Sequence, residues 1–78
     1  MHLIPYITKL MNDKIIAMDD VRLLTPKYAM IMVKKQQVII KRMTHKGVSD
    51  VLVLTNKDKE ILAIGNLAIV KFIKKVQG

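Results

Sequence analysis

The apolar residues of this chain fall in short runs cut by polar breaks, the six residues "YAMIMV" from Tyr28 to Val33 being typical. Runs of that length suit β-strands, and they are far below the roughly 20 residues that a helix needs to cross a bilayer. Cysteine is absent from all 78 residues, so neither a disulfide framework nor a thiolate metal site can supplement the core. Hydrophobic burial must therefore hold together one small domain, residues 1–78.

The pattern along the chain predicts an α+β fold. Ile4, Ile7, Leu10 and Met11, with Pro5 tolerated near a helix start, mark a short amphipathic helix within residues 1–13. Residues 14–78 read as predominantly β: about five short, mostly antiparallel strands forming a curved sheet or small barrel. "KIIAM" and "VRLLT" flank Asp19 and Asp20 as two short strands around a turn, and one helical turn through "DDVRLL" competes with that reading. "KYAMIMVKK" and "QVIIKRMT" read as strands, "THKGVSD" as a loop leading into "VLVLT", and "NKDK" as a hairpin loop. Gly65-Asn66 favours a further hairpin between "EILAI" and "LAIVKFI", because Ile69, Val70 and Ile73 lose χ1 freedom in a helix. The competing reading is a helix capped by Asn66 and running to Gln77. It would set Ile69, Phe72, Ile73 and Val76 on one side and Lys71, Lys74 and Lys75 on the other.

A helix followed by five short strands, with Tyr28 to Lys74 as the strand region, resembles the layout of Sm-like RNA-binding rings. That resemblance implies a small barrel and RNA as a partner. "QVIIKRMT" lacks the glycine that bends the second strand of that family, and Asp50 is the one counterpart to the Asp and Asn of its following loop. No site residue is carried over.

Catalytic and metal chemistry find little material. His45, Ser49 and Asp50 have the residue types of a nucleophile, a base and an orienting acid, but residues this close along one loop read as a solvated turn. We expect no catalytic residue. His2 and His45 are the only histidines, and Asp19 and Asp20 point oppositely if extended, so four metal ligands cannot be assembled. Three glycines, at Gly47, Gly65 and Gly78, do not make a phosphate-cradling loop, so no nucleotide cofactor and no small-molecule substrate is expected. Met11, Met18, Met30, Met32 and Met43 read as core filling, with an adaptable binding surface as the other possibility.

Charge is the remaining signal. The net charge of +8 is uneven: residues 1–33 hold four cations against three acids, residues 34–78 ten cations against Asp50, Asp58 and Glu60. The second part therefore suits a polyanion or an acidic protein surface. We expect a small basic nucleic-acid-binding module of low sequence specificity, touching the phosphate backbone of RNA or DNA through Lys34, Lys35, Arg42, Lys46, Lys57, Lys59, Lys71, Lys74 and Lys75. Low specificity follows because Arg22 and Arg42 are the only arginines and Tyr28 and Phe72 the only aromatics outside the first helix. Solvation of an apolar domain is the plain alternative use of the lysines.

The second functional expectation is a protein-interaction or assembly module that uses apolar surface and sheet edges. A domain this small cannot hide 51% apolar residues easily, so a homo-oligomer is expected. The opening "MHLIPYITKLMNDK" has no cationic leader region and no small-residue cleavage site, so a cytoplasmic location is expected.

Within the strand "QVIIKRMT", alternation sets Arg42 on one face with Val38 and Ile40, and Lys41 on the other with Ile39 and Met43.

Overall fold

Helix α1 (Ile4–Asn12) carries Pro5 in its first turn, where a missing amide hydrogen costs nothing, and buries Ile7 and Leu10. The computed structural model describes residues 3–78; His2 lies outside them. α1 ends in a Schellman turn. Lys14 takes φ 60°, its amide donates to the Met11 carbonyl at 3.0 Å, and the Ile15 amide donates to the Leu10 carbonyl at 2.9 Å. That turn swings Ile15 and Ile16 into the core, so "KIIAM" is not a strand. A single 3-10 turn, Met18–Asp20, follows it, as the helical reading of "DDVRLL" has it for the aspartates alone.

Five strands come next: β1 (Val21–Leu24), β2 (Tyr28–Val33), β3 (Gln36–His45), β4 (Val48–Asn56) and β5 (Ile61–Ile64). They form one antiparallel sheet in chain order, with β1 and β5 as its edges. The sheet is curved and open, and the closed barrel of the Sm-like layout does not form. "THKGVSD" is not a loop either. β3 runs on to His45 and β4 starts at Val48, leaving a two-residue turn of Lys46 and Gly47 with φ 50° and 80°.

The last element, α2 (Asn66–Gln77), corrects the favoured hairpin at Gly65-Asn66. Gly65 adopts φ 87° and ψ 158°, its amide donates to the Leu52 carbonyl at 2.7 Å, and its carbonyl accepts from Ile69 at 3.0 Å. The χ1 freedom lost by three β-branched residues costs a few tenths of a kcal/mol each. Full burial of Ile69 and Ile73 returns about 1.5–3 kcal/mol each, and that term decides. Phe72 and Val76 add to the same side.

Both helices cover one face of the sheet. Leu3, Ile7 and Leu10 beside α1 and Ile69 and Ile73 of α2 pack in one cluster with Ala29, Ile31, Val33, Val38, Ile40, Leu52 and Leu54. The chain has a long axis of 33 Å. Among the described residues no helix is long and apolar enough to cross a membrane.

Candidate interaction face

Among the described residues no helix lies over the second sheet face. Strand alternation sends to it Met30 and Met32 from β2, Ile39, Lys41 and Met43 from β3, and Val51, Val53 and Thr55 from β4, none of which belongs to the helix-covered cluster. Two bulges widen it at the edges. Between Val21 and Leu23 the register of β1 slips, so Leu23 opposes Met30 on the open face while Val21 and Leu24 stay with the core. On β5 the slip between Leu54 and Thr55 puts Leu62 and Ala63 on the core side, and Ile61 and Ile64 on the open side opposite Thr55 and Val53.

The result is apolar and only partly covered by itself. Leu23, Tyr28, Ile61 and Ile64 keep about two-fifths of their surface exposed (39%, 38%, 40% and 42%), whereas Val53 in the middle keeps 0% and Thr55 1%. A central strand with no lid can hide its side chains so completely only where neighbouring strands curl toward that side, and the bulges supply the extra twist. The open face is thus concave. The hydroxyl of Thr55 is buried there with no hydrogen-bond partner.

The methionines change role. Met11 packs on the helix-covered core, as core filling requires. Met30, Met32 and Met43 are half-buried on the open face and Met18 is exposed, so the core reading fails for these four. Unbranched, polarisable side chains on an open apolar surface can repack against different partners. The sequence signal for this was present, since Met30 and Met32 alternate with the core residues Ala29, Ile31 and Val33. Which face would carry the helices was not.

Antiparallel connectivity distributes the nine expected contact cations. Lys34 and Lys35 form the β2–β3 turn, and Lys57 and Lys59 belong to the β4–β5 loop at the same end. Lys35 and Lys57 flank Met32 and Gln37 in a shallow groove of about 400 Å³ that also meets Asp58. Lys46 sits in the β3–β4 turn at the opposite end, roughly 30 Å away along the ten residues of β3. Lys71, Lys74 and Lys75 stand on the solvent side of α2, in the other layer, with Lys74 and Lys75 in the last turn, where they complement the helix dipole. Arg42 follows Val38 and Ile40 onto the helix-covered side. Its guanidinium donates to the Asp50 carbonyl at 3.4 Å, and its Nε is buried without a partner. Four of the nine cations share one end of the sheet, Lys46 lies at the other, and Lys71, Lys74 and Lys75 belong to the helix layer.

The turns at that end are held in unusual backbone. Lys34 and Lys35 have φ 48° and 68°, the type I′ geometry that normally selects Asn-Gly. In the β4–β5 loop, Asn56 Oδ1 accepts from the Asp58 and Glu60 amides, both at 2.9 Å, while Lys59 takes φ 68°. Asn56 Nδ2 also donates to the Glu60 carboxylate at 3.1 Å.

His45, Ser49 and Asp50 do not converge as a catalytic set: Ser49 and Asp50 are exposed on β4, and Asp50, at φ 57°, is taken up by the bulge that follows the turn. Among the described residues no three His, Cys, Asp or Glu side chains gather into a metal-binding group. Comparison with protein-family models, with curated proteins and with solved structures finds no match for the chain.

Proposed function

We propose that this chain is a protein-interaction and assembly module that works through the open face of its sheet, and that it binds rather than catalyses. One observation carries the reading: the face of five strands lined by Met30, Met32, Ile39, Met43, Val51 and Ile64 has no covering helix or strand among the described residues. Contiguous apolar surface of that extent is uncommon on a protein that works alone. The short edge strands β1 and β5 flank the face and offer further backbone groups to a partner. A cytoplasmic site of action goes with this reading.

Nucleic-acid binding is the second reading, and the grouping of Lys34, Lys35, Lys57 and Lys59 favours it. Four phosphates neutralised there would give duplex DNA binding a log–log salt slope of about −3.6. Capture on the tagged full chain from nuclease-treated extract separates the two. A protein retained by the native chain and lost from a Met30→Lys/Ile64→Lys variant supports the interaction module. Loss of capture on nuclease treatment, with no effect of those substitutions, supports the phosphate-binding end instead.

A further inference from the structure

Among the described residues the paired strand positions of the open face carry one formal charge, Lys41, on the middle strand. Lys41 pairs with Tyr28 on β2 and with Val53 on β4, so it is surrounded by apolar neighbours on both sides. Among the described residues the strand positions of this face include no Asp or Glu. Lys41 is half-buried beside the fully hidden Val53, and a lysine in that setting covers apolar surface with its stem and keeps its ammonium at the outer side of the face. A second copy would be a poor cover. An isologous pairing centred on β3 sets one Lys41 against the other across sheets about 10 Å apart, with no carboxylate at the strand positions around either one; Asp58 lies in the groove at the end of the face. Burying an unpaired ammonium is costly by several kcal/mol, whereas pairing it with a carboxylate removes most of that penalty.

On this basis, and resting on the interaction reading above, we propose that the open face receives a segment of another protein that presents apolar side chains around one central carboxylate, seated on Lys41. The groove at the Lys35 and Lys57 end extends the positive field from Lys41 along the same face, so further acidic residues of the partner lie toward that end. The cations expected from the sequence to touch phosphate include Arg42 and not its strand neighbour Lys41. Arg42 donates to the Asp50 carbonyl on the helix side, whereas Lys41 belongs to the open face.

A random 12-residue peptide library displayed on phage, selected against the full chain, tests this directly. Peptides enriched on the native chain should carry Asp or Glu flanked by apolar residues. Selection on Lys41→Met should lose the acidic preference, and selection on Lys41→Glu should replace it with Lys or Arg. In parallel, the native chain should remain monomeric by sedimentation at micromolar concentration, while Lys41→Met should self-associate. Enrichment whose charge preference is the same for all three proteins overturns the proposal, as does a native dimer that Met30→Lys/Ile64→Lys dissociates. If that double variant leaves enrichment unchanged, the open face is not the docking surface and the broader interaction reading fails with it; if it abolishes enrichment while the Lys41 variants keep the native preference, only the role of Lys41 fails.

Discussion

Lys41 and Val53 stand directly opposite one another on β3 and β4: the one charged side chain at the paired positions of the open face beside a side chain with no exposed surface. The two facts have a common origin. Curvature toward the open side lets Val53 be hidden by its strand neighbours alone, and the long stem of Lys41 is one of those neighbours. A flat sheet with the same sequence would expose both. The bulges at Val21/Leu23 and Leu54/Thr55 therefore shape the candidate docking surface as well as ending strand pairing.

Thr55 is the polar flaw in that surface. It lies across from Ile39 and Ile61, is almost fully buried, and has a hydroxyl without a partner. An unsatisfied buried hydroxyl costs about 1–3 kcal/mol, and valine has nearly the same shape with a better strand propensity. Thr55→Val should raise the unfolding free energy by about 1 kcal/mol in urea denaturation with an unchanged m-value. A loss of stability of similar size would mean that the hydroxyl is bonded in solution.

The lysine turns should respond in the opposite sense to the one glycine that opens α2. Left-handed backbone costs a non-glycine residue roughly 1–2 kcal/mol, and Lys34 and Lys35 both carry that strain. Replacing them with Asn-Gly should stabilise the chain by about 1 kcal/mol after the extra freedom of glycine in the unfolded state is deducted, raising Tm by about 4–8 °C. Gly65→Ala should instead lower Tm. Its φ of 87° is strained for alanine even though no atom lies within 4 Å of the added methyl group, so backbone conformation alone supplies the effect. Thermal melts of the two variants moving in the same direction would contradict this account.

Much of the architecture was legible because strand alternation and helix periodicity are local. "YAMIMV" and "QVIIKRMT" announced two adjacent strands, and the opposite facing of Lys41 and Arg42 followed from period two alone. What was not legible depended on tertiary placement. "LAIVKFIKKV" has a turn signal before it and β-branched residues within it, so local preference favoured a strand; burial of Ile69 and Ile73 against a face otherwise covered by α1 reversed that. "THKGVSD" has loop composition, yet its polar residues sit on a projecting hairpin where strand pairing continues in solvent. The cations could be counted but not grouped, since only the meander shows that Lys35 and Lys57 share an end while Lys46 occupies the other. The open face was foreseen only as an apolar excess, because nothing in a strand's own sequence says whether a helix will lie over it.

Tyr6 gives a pH-dependent test of the helix-covered side. Its hydroxyl is buried without a hydrogen-bond partner, and burial pushes its pKa from 10.0 up to about 12, against the opposing pull of the nearby Arg42 guanidinium. The folded state therefore favours the neutral phenol. Since the folded pKa lies above the unfolded one, the contribution of Tyr6 to stability is complete below about pH 10 and is lost as pH rises toward 12. The comparison is with Tyr6→Phe, which keeps the packing and removes only this ionisable group, so that every other effect of high pH cancels. The native chain should lose stability relative to Tyr6→Phe between pH 10 and 12, with the gap widening steadily, and phenolate absorbance should show one late-ionising tyrosine that the variant lacks. A gap that stays constant across that interval would place Tyr6 in contact with solvent, and with it would fall the packing of α1 over Arg42.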